Sequence, residues 1–125
     1  MKVGDHAEVS RAFSTADIQD YSALSGHEFE QSRVPEPLIG ALFSYLLGVC
    51  LPGEGTMYLK QATRYLHKVT CGEVLNARVE ISRLRPDKEL VDLSTTCRDA
   101  NGRLVTTGRA LVYVGDVPRG MQPGV

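Results

Sequence analysis

The sequence predicts an α+β fold in which a long antiparallel sheet is wrapped around one buried central helix. Three observations lead to this prediction. Residues 34–48 read as one helix that is apolar almost all round, and a helix of that kind belongs inside a protein. From Thr56 onward, apolar and polar residues alternate with a period of two, which is typical of strands. Turn signals separate these segments, and the strongest is Asn101-Gly102, a dipeptide that favours tight hairpins.

Length, charge and cysteine content exclude several classes of protein. The chain has 125 residues and a formal net charge of -1, so we expect one domain over residues 1–117 and a poorly ordered Pro/Gly-rich tail over residues 118–125. This charge gives no reason to expect nucleic acid or a membrane as a partner. The three cysteines lack CxxC spacing and no secretory signal precedes them. We therefore expect reduced thiols, no metal and a cytoplasmic location.

The first part of the chain is predicted to form a strand and a short helix. Residues 2–13 alternate weakly and suggest an edge strand. Ser14 is a suitable helix cap, and an acid at Asp17 favours the positive end of the helix dipole. Apolar residues follow at three-residue spacing: Ile18, Tyr21 and Leu24. Gly26 can end this helix in a left-handed conformation, and the polar residues 27–35 predict a loop.

The rest of the chain is predicted to form the central helix and four antiparallel strands. Pro37 suits the first turn of the helix and Gly48 its end. A turn-rich link over residues 51–55 follows. The predicted strands cover residues 56–66, 75–82, 93–98 and 103–114. A sheet of this kind keeps an exposed edge or face that a second subunit can cover, so we expect a homodimer.

Several local strings resemble the MaoC-like, (R)-specific enoyl-CoA hydratases of the hot-dog fold. The most specific is residues 46–61, where the family often has Leu-Leu-Gly and then Leu-Pro-Gly, Gly, Thr, Tyr-Leu and Gln. Residues 69–74 and 13–26 resemble two further family segments, and the resemblance extends from about Val3 to Val114. It implies a hot-dog fold, an acyl-CoA or acyl-ACP thioester as substrate, fatty acid metabolism, and no cofactor.

The sequence departs from this family where the family's chemistry lies. The resemblance implies an Asp-x-Asn-Pro-x-His motif directly after Gly26, whose Asp and His activate water, but His27 and Glu28 stand there instead. The family also has His-Gly-Met at the start of the buried helix, where the glycine N–H polarises the thioester carbonyl. Residues 35–37 of this chain read Pro-Glu-Pro. Glu36 still provides a backbone N–H for the same purpose.

The candidate catalytic residues are Glu36, His27 and Glu28. Glu36 could act as a general base at the start of the helix, or simply favour the helix dipole. His27 and Glu28 could replace the Asp–His pair, or belong to a solvated loop. The residues expected to bind the substrate are Gly40, Tyr58 and Tyr65. His67, close to Tyr65, is a weaker catalytic alternative and is expected to be exposed.

Three functions fit these residues. The first is an (R)-specific enoyl-CoA hydratase with an atypical site. The second is an acyl-CoA thioesterase in which a carboxylate such as Glu36 activates water for attack on the thioester carbonyl. The third is a non-catalytic domain that binds an acyl thioester or a partner enzyme. Basic residues that could meet the phosphates of CoA are scattered over the predicted strands and turns: Lys60, Arg64, Lys68, Arg83 and Arg85.

Overall fold

The computed structural model of the protein describes residues 1–30 and 32–118. Its elements in chain order are β1 (His6–Ala12), α1 (Thr15–Ser25), α2 (Glu36–Tyr45), a π-helical turn (Leu46–Cys50), β2 (Met57–Tyr65), β3 (Val74–Arg85), a 3-10 turn (Pro86–Lys88), β4 (Leu90–Arg98) and β5 (Leu104–Tyr113). All predicted strands and both predicted helices are present. The predicted tail, apart from Pro118, lies outside the described residues.

The five strands form one antiparallel sheet in the order β1-β3-β4-β5-β2. The order places β1 and β2 at the two edges, although they are the first and second strands of the chain. The buried face of β3 follows the predicted alternation, with Leu75, Ala77, Val79 and Ile81 all inaccessible to solvent. The α+β prediction of an antiparallel sheet around a central helix is therefore confirmed.

Helix α2 packs one side against the buried face of the sheet. Ile39, Leu42 and Phe43 are the buried residues of this helix, and they belong to one hydrophobic cluster with the inner residues of the strands. The opposite side faces solvent, since Tyr45 is 49% exposed and Val49, in the turn that follows, is 63% exposed. The sheet of one chain covers only one side of the helix. Because the helix is apolar almost all round, its other side exposes an apolar surface to solvent.

The central helix does not end at Gly48, and that prediction is wrong. The α-helix ends at Tyr45 and continues as a π-helical turn over Leu46–Cys50. The Leu51 N–H donates to the Leu46 carbonyl over 2.8 Å, which closes the wider ring of a π turn. Leu46 and Leu47 are fully buried. Their burial holds the turn against the core, so Gly48 lies inside it.

Helix α1 has the cap that its sequence predicted. The Ser14 hydroxyl accepts a hydrogen bond from the Asp17 N–H over 3.1 Å, and the Asp17 carboxylate accepts one from the Ser14 N–H over 2.8 Å. These two bonds form a capping box. At the other end, Gly26 has a φ of 72° and its N–H donates to the Ser22 carbonyl. The start and end of α1 are thus determined by local side-chain chemistry.

Replacing Ser14 by alanine is expected to lower the free energy of unfolding by about 1 kcal/mol, because loss of the cap leaves the Asp17 N–H without its acceptor. Two hydrogen bonds hold the pKa of the Asp17 carboxyl below its ordinary value: first the one from the Ser14 N–H, then the one with the Ser14 hydroxyl. The positive charge of Arg11 lowers this pKa further. The stabilisation from ionised Asp17 is therefore present above its unfolded pKa and lost as the pH falls through its folded pKa.

Urea unfolding measures both effects. The difference in stability between the wild type and Asp17→Asn should shrink as the pH is lowered into the acidic range. A difference that stays constant with pH would contradict the role of the ionised carboxylate. Thr15→Ala is the matched control, since Thr15 is exposed in the same turn and is not part of the capping box.

Candidate active site

A cavity of about 520 Å³ lies at the start of α2, a size in the range of small-molecule sites. Two chain segments enclose it. The first comprises residues 29, 30, 33–37 and 39 and leads into α2, and the second comprises residues 65–69 at and beyond the end of β2. Part of its wall is apolar, formed by Phe29, Val34, Pro35, Pro37, Ile39, Leu66 and Val69. Its polar residues are Glu30, Arg33, Glu36, Tyr65, His67 and Lys68.

Hydrogen bonds hold the two segments together on both sides of the cavity. The Val34 N–H donates to the Val69 carbonyl over 2.9 Å. The Tyr65 hydroxyl donates to the Glu36 carbonyl over 3.2 Å. Tyr65 is the last residue of β2, and the N–H of the next residue, Leu66, donates to the Val105 carbonyl of β5 over 2.8 Å. The start of α2 is therefore fixed to the end of an edge strand.

The first turn of α2 leaves one backbone N–H available. Pro37 has no N–H, and the Leu38 N–H donates to the Pro35 carbonyl over 3.0 Å. Among the described residues, the Glu36 N–H has no acceptor. It lies at the positive end of the helix dipole, which favours developing negative charge. This turn can therefore polarise a carbonyl oxygen that enters the cavity.

Some ionisable side chains of the cavity form hydrogen bonds or ion pairs with other described residues, and others do not. The Glu30 carboxylate accepts a hydrogen bond from Ser32 over 2.7 Å and lies 3.5 Å from the Arg33 guanidinium. By contrast, the side chains of Glu36 and His67 make no hydrogen bond or ion pair with any other described residue. The structure thus places one carboxylate and one imidazole, both without partners in the described chain, on the same cavity.

Tyr65 has a different role from these two groups. Burial raises the pKa of its phenol, and the nearby charges of the Glu36 carboxylate and the Cys97 thiolate act in the same direction. The phenol therefore stays protonated at neutral pH and continues to donate to the Glu36 carbonyl. Tyr65 fixes the backbone of the first helical turn, and its ring forms part of the cavity wall.

Replacing Tyr65 by phenylalanine is expected to lower the free energy of unfolding by about 1 kcal/mol, because the Glu36 carbonyl loses its side-chain donor. Urea unfolding of both proteins gives the difference. Tyr45→Phe is the matched control, since the Tyr45 hydroxyl makes no hydrogen bond with the described residues. Equal losses for the two variants would contradict the structural role of the Tyr65 hydroxyl.

His27 and Glu28 do not line this cavity. Both are exposed. The His27 ring packs edge-on against Phe29 at a centroid distance of 4.6 Å, and Phe29 in turn packs on Tyr21 at 5.2 Å. Only Phe29 of this group reaches the cavity. The catalytic roles of His27 and Glu28 stay predictions, and the structure brings Glu36 together with His67 instead.

Gly40 and Tyr58 also lie outside the cavity lining. A Cβ at Gly40 would lie 3.5 Å from the Tyr65 hydroxyl, so Gly40 is next to the cavity wall. Tyr58 is half buried near the edge of the sheet. Burial raises the pKa of its phenol, and the Ser44 side chain acts in the opposite direction. Their substrate-binding roles remain predictions, whereas Tyr65 does line the cavity.

A second cleft, of about 440 Å³, runs between β1, α1 and α2. Its charged residues are Arg11, Asp17 and Asp20, and the first two lie 3.5 Å apart as an ion pair. It contains no histidine or cysteine.

Across residues 1–30 and 32–118, no group of three His, Cys, Asp or Glu residues could hold a metal ion. In the same ranges, no helix has the length and apolar character that crossing a bilayer requires.

The chain is similar to known hydratases over most of its length. It is 34% identical to an (R)-specific enoyl-CoA hydratase from Aeromonas caviae, with 90% of this chain and 94% of that protein covered. A second such hydratase, from Rhodospirillum rubrum, is 30% identical over 91% of this chain and 88% of its own length. No protein-family model matches the chain.

Solved structures agree with these relatives. The fold superimposes on an (R)-hydratase from A. caviae involved in PHA biosynthesis, with a TM-score of 0.83, 34% identity and 90% and 96% of the two chains covered. A hot-dog-like protein from Thermanaerovibrio acidaminovorans has a TM-score of 0.63 at 19% identity, covering 89% of this chain and 81% of the other. These likenesses confirm the hot-dog fold.

Proposed function

The chain belongs to the (R)-specific enoyl-CoA hydratase family, and on that premise we propose that it adds water reversibly across the trans-2 double bond of an acyl-CoA or acyl-ACP thioester. The observation that carries the proposal is the cavity at the start of α2. It combines an apolar wall with a helix N–H that has no acceptor and ionisable side chains that have no hydrogen bond or ion pair within residues 1–30 and 32–118.

Each of these features has a part in the reaction. The Glu36 N–H polarises the thioester carbonyl and stabilises the enolate oxygen that forms when water attacks the double bond. The apolar wall accepts the start of the acyl chain and lowers the local dielectric constant, which strengthens that stabilisation. Arg33 and Lys68 line the same cavity, and their positive charges suit the phosphates of a CoA or phosphopantetheine carrier.

A direct assay tests this function. We expect the purified protein to reduce the enoyl absorbance of crotonyl-CoA and to yield 3-hydroxybutyryl-CoA of the (R) configuration, identified with an (R)-specific dehydrogenase. Crotonyl-ACP in parallel distinguishes the two carriers. Release of free thiol without formation of 3-hydroxybutyryl-CoA would replace the hydratase by a thioesterase. A thermal shift with CoA and no turnover would favour a binding domain.

The proposal includes a homodimer formed through strand β2. This strand pairs with β5 on one side only and is an edge of the sheet. An open strand edge is a template for pairing with another chain. Apolar side chains are exposed along it, including Met57 and Leu59, and further apolar residues are exposed on the helix side, Tyr45 and Val49. A second copy of the chain would cover both kinds of surface.

Sedimentation equilibrium tests the dimer. We expect the wild type to sediment as a dimer and Leu59→Asp to shift towards the monomer, because a charge would be buried at the interface. Val3→Asp is the matched control, since Val3 is 60% exposed and lies before β1, at the other edge. A monomeric wild type, or equal dissociation of both variants, would contradict an interface at β2.

A cytoplasmic location is also part of the proposal. Its support is that Cys50 and Cys97 are free thiols, which suits a reducing compartment. Fractionation of source cells with detection of the native protein would test it, and recovery from an oxidising compartment would contradict it.

A further inference from the structure

We propose that the Glu36 carboxylate and the His67 imidazole are the acid–base pair of the cavity at the start of α2, an inference that rests on the hydratase function proposed above. The family's motif residues are absent from this chain, and the side chains at the corresponding place, His27 and Glu28, do not reach the cavity. The chain therefore needs another carboxylate and another proton donor, and the cavity contains both.

The backbone explains how these two residues come together. Val34 is bonded to Val69, and Tyr65 is bonded to Glu36. His67 lies midway between Tyr65 and Val69, on a span of chain fastened at both ends. Glu36 lies on the facing segment and just beyond Val34. The two hydrogen bonds thus hold the two segments together, with His67 and Glu36 lining the same cavity.

The other polar groups of the cavity are less suited to proton transfer. Glu30 is engaged by Ser32 and Arg33. The Tyr65 hydroxyl already donates to the Glu36 carbonyl. The remaining cations, Arg33 and Lys68, are suited to holding a phosphate. Glu36, His67 and Lys68 are the groups whose side chains are left without a hydrogen bond among the described residues, and of these Glu36 is the carboxylate and His67 the imidazole.

The reaction balances with these two residues. The Glu36 carboxylate takes a proton from a water molecule while the water oxygen forms a bond to C3 of the enoyl thioester. The π electrons of the C2–C3 bond move towards C2 and the thioester oxygen, giving an enolate. The His67 imidazolium then gives a proton to C2, which restores the thioester carbonyl. Transfer of the proton from Glu36 to His67, directly or through water, regenerates the starting state.

This assignment also removes an electrostatic difficulty. A negative carboxylate close to the developing enolate oxygen would destabilise the transition state. If the carboxylate takes up the proton of water at the same step, its negative charge is neutralised as the enolate charge appears. The charge moves across the cavity towards the helix N–H and does not accumulate. A glutamate in the first turn can thus serve as base beside its own N–H.

Kinetics of single variants test the pair once the wild type is shown to hydrate crotonyl-CoA. Glu36→Gln and His67→Ala are each expected to lower kcat by at least about 100-fold, the range of general acid–base catalysis, with a KM changed by less than about threefold. Glu54→Gln and His6→Ala are matched controls, since both residues are exposed and lie outside the cavity. Thermal unfolding of each variant verifies that it is folded.

Chemical rescue separates catalysis from structure. His67 is exposed, so free imidazole can reach the space left by its side chain, and we expect it to restore the kcat of His67→Ala several-fold while leaving Glu36→Gln unchanged. A folded Glu36→Gln or His67→Ala with more than a third of wild-type kcat would overturn this inference and leave the hydratase function standing. Loss of activity in His27→Ala with His67→Ala unaffected would do the same. A wild type that does not hydrate enoyl thioesters would overturn both proposals.

Discussion

Replacing Phe43 by alanine is expected to lower the free energy of unfolding by about 4 kcal/mol. Phe43 is fully buried and is the largest such side chain of the core. It projects from the last turn of α2 into the hydrophobic cluster formed with the sheet. Its removal forfeits the burial of an aromatic ring and leaves a cavity that strands on one side and a helix on the other can fill only in part.

Urea unfolding at a fixed protein concentration gives this difference, since a dimer makes the apparent stability depend on concentration. Phe43→Leu is the control, because it keeps most of the apolar volume and should lose less than about 2 kcal/mol. A small and equal loss for the two variants would mean that α2 is not packed through Phe43. If the alanine variant does not fold, the leucine variant still measures the packing at this position.

Replacing Gly108 by alanine is expected to lower the free energy of unfolding by about 3 kcal/mol, because the added methyl group has no room. Gly108 lies in the middle of β5, opposite Thr63 of β2 and Thr95 of β4. A Cβ there would meet the Ala62 carbonyl oxygen and lie 3.0 Å from the Thr63 Cα and the Thr95 hydroxyl. Two of these three neighbours are backbone atoms, so β2 would have to move away from β5.

Gly40→Ala is the matched control for this prediction. A Cβ at Gly40 would meet only the Tyr65 hydroxyl, at 3.5 Å, which is an ordinary contact. Since alanine is the better helix former, Gly40→Ala should be neutral or stabilise the protein by up to about 1 kcal/mol. A Gly108 variant as stable as the wild type would contradict the close approach of β2 and β5. If the proposed dimer forms, its loss in the Gly108 variant alone would be a further sign that β2 had moved.

The proposed acid–base pair lies in a different place from the pair that the family resemblance implies. The resemblance implied a local motif in which an aspartate and a histidine follow one another after α1. In this chain the loop after α1 carries exposed residues, His27 and Glu28. The proposed groups come instead from the first turn of α2 and from the chain beyond β2. If the kinetic test succeeds, a similar reaction would be carried out from a different place in the same fold.

The fold was predictable from the sequence because its signals are local and agree with one another. The Ser14 cap and the Gly26 end determine α1 within a few residues. The strict alternation of residues 75–81 places one face of β3 in the core. The end of the central helix was mispredicted, because buried Leu46 and Leu47 carry the helical turn past Gly48. Tertiary packing there outweighed a local end signal.

The sequence by itself determined the α+β class, the two helices, the five strands and the presence of Glu36 at a helix start. The tertiary structure alone decided which other residues share that site. His67 looked like part of an exposed polar run, and nothing near it in the sequence points to Glu36. The two line one cavity because β2 pairs with β5 at the edge of the sheet and because Val34 and Tyr65 each bond across to the other segment. These contacts join residues far apart in the chain, so they depend on strand order and register, which periodicity does not encode.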